Sequence, residues 1–274
     1  MTLVIAVVAG LLIGLSLGAL GGGGSILAVP VLVYLLDQTP AQATTGSLVV
    51  VGTTALIGAV TAHRAGNVML ARGAMFGAVA IGGAAVGAKA SALVPEPVLL
   101  AAFAALMLLV GTLMGLRQLR WARSGAPPAA HRPALDDPII AFREGFMCDC
   151  PRAVKILVTA TAVGLLTGFL GVGGGFLVVP ALVLALGLPM EYAAGTSLVV
   201  ITLTSASALV VRIGVGSAPD WGLVAVLTAA SAVGGFVGAR MADRADTSRL
   251  SAAFTVLVLA VAGYTAIQAV PALF

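Results

Sequence analysis

Charged residues are scarce in this sequence of 274 amino acids. They make up 9% of the chain, whereas hydrophobic residues make up 60% and the mean hydropathy is +1.15. Soluble globular domains carry about 25% charged residues, so this composition excludes a soluble protein and predicts an integral membrane protein. Continuous apolar runs such as residues 98–116 also exclude a membrane β-barrel, whose strands alternate apolar and polar positions.

Carboxylates are missing from the middle of every predicted helix. A proton relay through a buried acid and a carboxylate-based sodium site are therefore not supported. The sequence also lacks a glycine-rich phosphate loop that ends in Gly-Lys-Ser/Thr, which excludes an ATP-driven pump. It has no Ser/His or Cys/His constellation for hydrolysis, so we expect no enzymatic activity, no catalytic residue, no cofactor and no bound metal ion.

Cysteine is almost absent, since Cys148 and Cys150 are the two cysteines of the chain. They lie in a polar linker that we place in the cytoplasm, where a structural disulfide is not expected. Two ligands without partners are a weak metal signal. A membrane-embedded thiol-redox protein that uses this pair is one alternative function, and it requires both cysteines to be essential. A non-transporting membrane scaffold subunit is another alternative, and it requires that no ligand change the protein's stability.

Glycine, in contrast, is abundant, with 35 residues. The stretch Gly18–Pro30 recurs without a gap as Gly168–Pro180, and each copy places several glycines inside a long apolar run. Several glycines in a row predict a broken helix, and broken helices are tolerated at membrane depth only where they are buried in protein or line a cavity. We therefore expect this pair of stretches to form the centre of the molecule. Other glycines recur every four residues and predict close helix packing: Gly10, Gly14, Gly18, Gly83, Gly87, Gly164, Gly168, Gly234 and Gly238.

The recurrence divides the chain into a first transmembrane repeat (residues 1–116), a cytoplasmic linker (117–153) and a second transmembrane repeat (154–274). Each repeat contains five segments, which in the first are residues 3–20, 25–36, 41–62, 68–93 and 98–116. The predicted fold is thus an all-α polytopic membrane protein with about 8–10 helices, two of them broken at the glycine stretches.

An odd number of segments makes the second repeat enter the membrane from the opposite face. The linker is rich in arginine, which places it in the cytoplasm by the positive-inside rule and both termini outside. The net charge of +4 reflects basic residues at helix ends and in this linker, and we do not expect nucleic-acid binding. Inverted repeats with Gly/Pro-interrupted segments are typical of secondary transporters, whose substrate site lies at the repeat interface.

Broken helices direct unpaired backbone N–H groups and the positive end of a helix dipole toward the membrane midplane, and both features favour anions. The expected partners are therefore a small anionic substrate and the lipid bilayer, while the coupling ion and a homo-oligomeric state stay open. The other interpretation is that the glycines only permit helices to cross, and that the hydroxyls of the threonines and serines at the start of the following helices only cap helix ends. The candidate substrate-binding residues are Gly21, Gly23, Gly24, Ser25, Thr44, Thr45, Ser47, Gly171, Gly173, Gly174, Gly175, Thr196 and Ser197. Lys89 and Arg240 follow equivalent Gly-Ala motifs, and they either attract the anion or extend to the lipid headgroups.

The doubled Gly-x-Gly-Gly-Gly pattern, with a proline after it and then Gly-Ser-Leu-Val-Val or Gly-Thr-Ser-Leu-Val-Val, resembles the sulfite exporter TauE/SafE family. The resemblance covers nearly the whole chain except the linker. It implies a permease of the bacterial inner membrane that exports sulfite, a sulfonate or a related organic anion. The first stretch departs from the pattern, because Gly22 stands in the position of Val172 and Ser25 in that of Gly175, so we expect an asymmetric site.

Overall fold

The computed structural model describes residues 2–91, 96–124, 150–170, 175–212, 219–242 and 247–273. Over these ranges the chain forms ten α-helices and no strand, which confirms the all-α prediction. The helices are α1 (Thr2–Leu20), α2 (Gly23–Pro30), α3 (Pro40–Arg64), α4 (Leu70–Ser91), α5 (Glu96–Ser124), α6 (Cys150–Leu170), α7 (Gly175–Pro180), α8 (Met190–Arg212), α9 (Trp221–Ala242) and α10 (Thr247–Leu273).

Five of these helices are long and apolar enough to cross a bilayer by themselves. Within the described ranges the candidate spans are Leu3–Leu20, Gln42–Arg64, Leu70–Gly87, Met190–Val211 and Trp221–Ala242, of 18 to 23 residues each. About 20 apolar residues are needed to cross the hydrocarbon core. The protein is therefore a multi-pass membrane protein.

The two segments predicted to be broken are short in the structure and change their helical form part-way. Helix α2 ends at Pro30 and continues as a π-helix over Val31–Leu35, and α7 ends at Pro180 and continues as a π-helix over Ala181–Ala185. Proline has no backbone N–H and therefore cannot continue the regular hydrogen-bond ladder. The wider turn follows from Pro30 and Pro180, which the sequence places at matching positions.

The predicted end of the fifth segment, Leu116, is too early, because α5 continues to Ser124. Apolar periodicity stops at Leu116, but the next polar side chains find partners inside the protein. The Arg117 guanidinium donates to the carbonyl of Val183, and the Gln118 amide donates to Ser251 Oγ at 2.6 Å. The sixth segment begins earlier than predicted, at Cys150. Residues 125–149 of the predicted linker, with Cys148, lie outside the described ranges.

Helices of the first repeat pack mainly on helices of the second. Helix α1 packs along α9 and α6 packs along α4, while α3 lies against α8 and α5 against α10. These pairs are symmetric between the repeats. If every helix is replaced by its counterpart in the other repeat, with α1 matching α6, α2 matching α7 and so on, the same pairs result. Both buried apolar clusters of the core contain residues from both repeats.

Close contacts at glycines give the relative directions of these helices. Along α1, Gly10 faces Ala230 and Gly18 faces Gly235, so α1 and α9 run parallel. Along α3, Gly52 faces Ser205 whereas Gly58 faces the earlier residue Leu198, so α3 and α8 run antiparallel.

Candidate functional site

The two glycine stretches meet each other in the interior of the helix bundle. A β-carbon on Gly22 would collide with the carbonyl group of Gly175 and would lie 3.2 Å from Phe176 Cα. A β-carbon on Gly175 would lie 2.6 Å from Ser25 Oγ and 2.9 Å from Ile201 Cδ1. Ile201 lies half-way along α8, so the backbones of the two repeats touch near the middle of the bundle with no side chain between them.

Gly21 is required at its position for two reasons. Its φ of +77° lies in the left-handed region that favours glycine. A β-carbon would also lie 2.6 Å from Ala194 Cα and 2.7 Å from Ser197 Oγ. The turn between α1 and α2 is therefore pressed directly against the first turns of α8, in the other repeat.

The buried serine hydroxyls among the candidate residues all donate to a carbonyl three residues earlier. Ser25 Oγ donates to the Gly22 carbonyl at 2.7 Å, Ser197 Oγ to Ala194 at 2.7 Å and Ser47 Oγ to Thr44 at 2.9 Å. Their oxygens keep lone pairs, but the O–H donor that an anion needs is occupied by a backbone carbonyl. Binding an anion through these groups requires the hydroxyls to rotate away from the backbone.

Ser47 and Ser197 are not brought together, although they occupy matching positions in the two repeats. Helices α3 and α8 are antiparallel, with Gly52 opposite Ser205 and Gly58 opposite Leu198. Ser47 and Ser197 therefore lie at opposite ends of the contact between these two helices. At about 1.5 Å of rise per residue, their separation along the axis is on the order of 20 Å. One small ion cannot contact both hydroxyls at once.

A small cavity of about 50 Å³ opens beside the first glycine stretch. It lies where α1, α3 and α9 end and where α8 and α10 begin. Two of its lining side chains are polar, Asn67 and Glu191, and Gly18, Ala194 and Gly195 bring it next to Gly21. A larger cavity of about 470 Å³ on the outer side of α1 and α2 is lined only by apolar side chains, so it offers nothing to hold an ion.

Comparison with known proteins identifies the family of this chain. The profile of the sulfite exporter TauE/SafE family matches residues 6–265. The chain belongs to this family. A "Probable membrane transporter protein" of Xylella fastidiosa (strain 9a5c) is 34% identical over 267 residues, which cover 96% of this chain and 94% of the relative. The "Probable membrane transporter protein YunE" of Bacillus subtilis (strain 168) is 28% identical over 257 residues, which cover 91% and 92%. No solved structure matches the chain.

This TauE/SafE protein is therefore a membrane transporter, as the names of its family and relatives indicate. The remaining candidate residues lie in three places. Thr44 and Thr45 are half-buried near the start of α3, and Gly23 and Gly24 are buried in the first turn of α2. Gly171, Gly173 and Gly174 lie outside the described residues. The role of this set in binding substrate stays a prediction.

The two candidate cations of the TauE/SafE protein are exposed at the ends of α4 and α9. The Arg240 guanidinium lies over the Phe236 ring, 4.3 Å from its centroid, and the Phe236 side chain is 40% exposed. A cation held over an outward-facing ring agrees with the headgroup interpretation. Lys89 is likewise exposed, so attraction of an anion by either residue stays a prediction.

Thr196 has a contact that the sequence did not reveal. Its Oγ1 accepts the backbone N–H of Met69 at 3.2 Å, just before α4 begins. Thr196 is fully buried and Met69 is 8% exposed. The hydroxyl thus satisfies an N–H at the start of a helix in the other repeat, as an N-cap residue does within one helix.

Replacing Thr196 by valine should destabilise the protein, because the Met69 N–H would lose its acceptor in a buried place. The expected loss is about 1–3 kcal/mol of unfolding free energy, measured by denaturant unfolding in detergent. Thr202→Val is the matched control, since the Thr202 hydroxyl donates only to its own helix, to Leu198 at 2.8 Å. Equal stability of Thr196→Val and Thr202→Val would contradict a capping role.

Proposed function

We propose that this TauE/SafE protein is a secondary transporter of the bacterial inner membrane that exports a small anion by alternating access. The anion is sulfite, a sulfonate or a related organic anion. The observation that carries the proposal is the contact between Gly22 and Gly175, where the backbones of the two repeats meet in the middle of the bundle. Backbone N–H groups at such breaks are typical anion ligands in transporters with inverted repeats.

The burial pattern favours an anion over a cation. The buried polar side chains of the described residues are all neutral: Ser25, Gln38, Ser47, Thr54, Thr196, Ser197, Ser205, Ser231, Ser251 and Thr255. A cation leaving water needs carboxylates or several carbonyl oxygens, whereas an oxyanion needs N–H and O–H donors. The interior supplies an amide and the first N–H groups of α2, apart from that of Ser25, which bonds the Gly22 carbonyl at 3.3 Å. Its serine hydroxyls become available as donors once they rotate away from the backbone carbonyls.

The helix directions support an inverted repeat. Antiparallel packing of the matching helices α3 and α8 is the arrangement expected when one repeat is turned over relative to the other. The pairs α1–α9 and α4–α6 then form two bodies, each made of helices from both repeats. Relative motion of these two bodies about the Gly22–Gly175 contact would open the central region to one face and then to the other. The cavity beside Glu191 is a candidate for the opening on one face.

Transport into proteoliposomes tests the proposal. Vesicles that contain the purified protein should accumulate sulfite or a simple sulfonate faster than protein-free vesicles and should not accumulate a cation of similar size. The double variant Cys148→Ser/Cys150→Ser is a control that should transport normally, because the proposed anion site uses neither thiol. Preference for the cation would overturn the anion assignment. Loss of all activity in the cysteine variant would favour the thiol-redox function instead.

A further inference from the structure

The two short connectors that follow the π-helices have the same backbone but different side chains. Asp37 adopts a φ of +51° and the matching Gly187 a φ of +68°. The next N–H then bonds back in the same way, from Gln38 to the Leu32 carbonyl at 3.0 Å and from Leu188 to the Leu182 carbonyl at 3.1 Å. Gln38 and Leu188 are each 7% exposed. The fold therefore turns one side chain inward in each repeat, and in the first repeat that side chain is an amide.

The Gln38 amide has no hydrogen-bond partner among the residues that the structure describes. Both Oε1 and Nε2 are buried and unpaired. Leaving such a group without partners is unfavourable, because it has given up its water without replacement. An apolar residue is accepted at the same place in the second repeat, as Leu188 shows. The fold itself thus does not require a polar side chain here.

The neighbour of Gln38 on α3 lacks the hydroxyl that the second repeat has at the matching position. A β-carbon on Gly46 would lie 3.0 Å from Val224 Cγ2 and 3.7 Å from Gln38 Oε1. The residue that matches Gly46 is Thr196, whose hydroxyl is used for the Met69 N–H. Because Gly46 has no side chain, it offers the amide no hydroxyl at the start of α3, beside the candidate residues Thr45 and Ser47.

We infer that Gln38 selects the substrate by contacting it directly, and that the selected anions carry a hydrogen-bond donor as well as their oxyanion group. The inference rests on the proposed anion transport. An amide satisfies both of its atoms only with a ligand that accepts from Nε2 and donates to Oε1. Hydroxy- or amino-alkanesulfonates and singly protonated oxyanions meet this requirement. A fully deprotonated oxyanion, which offers acceptors alone, leaves Oε1 unpaired.

The test compares 2-hydroxyethanesulfonate with ethanesulfonate, which differ by one hydroxyl group. Binding to the purified, full-length protein is measured by calorimetry. The parent should prefer the hydroxylated probe by about tenfold, the usual contribution of one satisfied hydrogen bond in a buried site. Gln38→Met keeps the length of the side chain but removes both polar atoms, so it should bind the two probes equally. Leu188→Met is the matched control in the second repeat and should keep the preference.

A second measurement separates selection from a structural role. Without ligand, Gln38→Met should unfold at a higher temperature than the parent, because an unpaired buried amide has been removed. A lower unfolding temperature, or an unchanged preference in Gln38→Met, would overturn the inference. So would equal binding of both probes by the parent. If the parent binds neither these probes nor sulfite, the proposed function itself fails, and the inference falls with it.

Discussion

Gly87→Ala should prevent most of the protein from folding, whereas Gly82→Ala on the same helix should leave it folded. A β-carbon on Gly87 would collide with the Leu165 carbonyl and would lie 2.7 Å from the Phe169 nitrogen. Both atoms belong to the backbone of α6, which cannot move aside as a flexible side chain can. A β-carbon on Gly82 would have no atom within 4 Å.

The size of the effect follows from how α4 and α6 pack. Gly83, Gly87, Gly164 and Gly168 all place a backbone atom of the partner helix where a β-carbon would be, so the two helices touch along their length. Separating helices that associate through small residues removes much of their packing, and overpacking at one site typically costs about 1–3 kcal/mol or more. Gly82→Ala should be neutral or slightly stabilising, since alanine favours a helix by about 1 kcal/mol.

The measurement is size-exclusion chromatography of detergent extracts, followed by thermal unfolding of what is recovered. The monodisperse peak of Gly87→Ala should fall about tenfold or more below that of Gly82→Ala, because separating α4 from α6 removes packing along both helices and not at one site alone. If both variants give the parent's peak and unfolding temperature, α4 and α6 do not pack this closely in the membrane.

Gly22→Ala should reduce transport by about tenfold or more, while Gly23→Ala should retain most of it. The added methyl on Gly22 would push against the Gly175 carbonyl, at the contact between the repeats. On Gly23 it would meet the Leu257 Cδ2 atom at 2.8 Å, the far end of a flexible side chain that can change rotamer. The expected difference in transport between the Gly22 and Gly23 variants therefore depends on which atoms the added methyl group displaces.

Flux in proteoliposomes, divided by the amount of protein inserted, provides the comparison. Gly22→Ala should destabilise the folded protein less than Gly87→Ala does, because α2 and α7 are in contact over a short length. Parent-like flux in Gly22→Ala would show that motion about this contact does not limit transport. If Gly22→Ala fails to reach the membrane at all, the glycine serves assembly and not transport.

Much of the fold could be predicted from local patterns. The glycines spaced by four residues predicted close helix packing, and Gly14 and Gly18 indeed touch the backbone of α9 at Ser231 and Gly235. The glycine stretches and their prolines predicted two broken segments at the observed places. These signals are readable because they depend on backbone geometry, which glycine and proline change directly.

What could not be predicted depends on contacts between distant parts of the chain. The Thr196 hydroxyl bonds a residue 127 positions away, and the extension of α5 depends on Gln118 meeting Ser251 and Thr255 of α10. The inward direction of Gln38 depends on the positive φ of Asp37, a conformation more often left to glycine. No periodicity in the sequence signals such partners. Glu191 was not among the predicted site residues. It lies in the first turn of a helix, where an acidic side chain is explained by its favourable interaction with the helix dipole.

The pairing of α1 with α9 also determines the order in which the molecule can be completed during synthesis. Helix α1 leaves the ribosome before the other described helices, yet the partner that covers Gly10, Gly14 and Gly18 begins only at Trp221, roughly 200 residues later. At about 5–20 residues per second, this interval lasts on the order of 10–40 s. During that time the small-residue face of α1 is exposed to lipid or to another membrane protein, and the nascent chain can form wrong contacts until α9 is inserted.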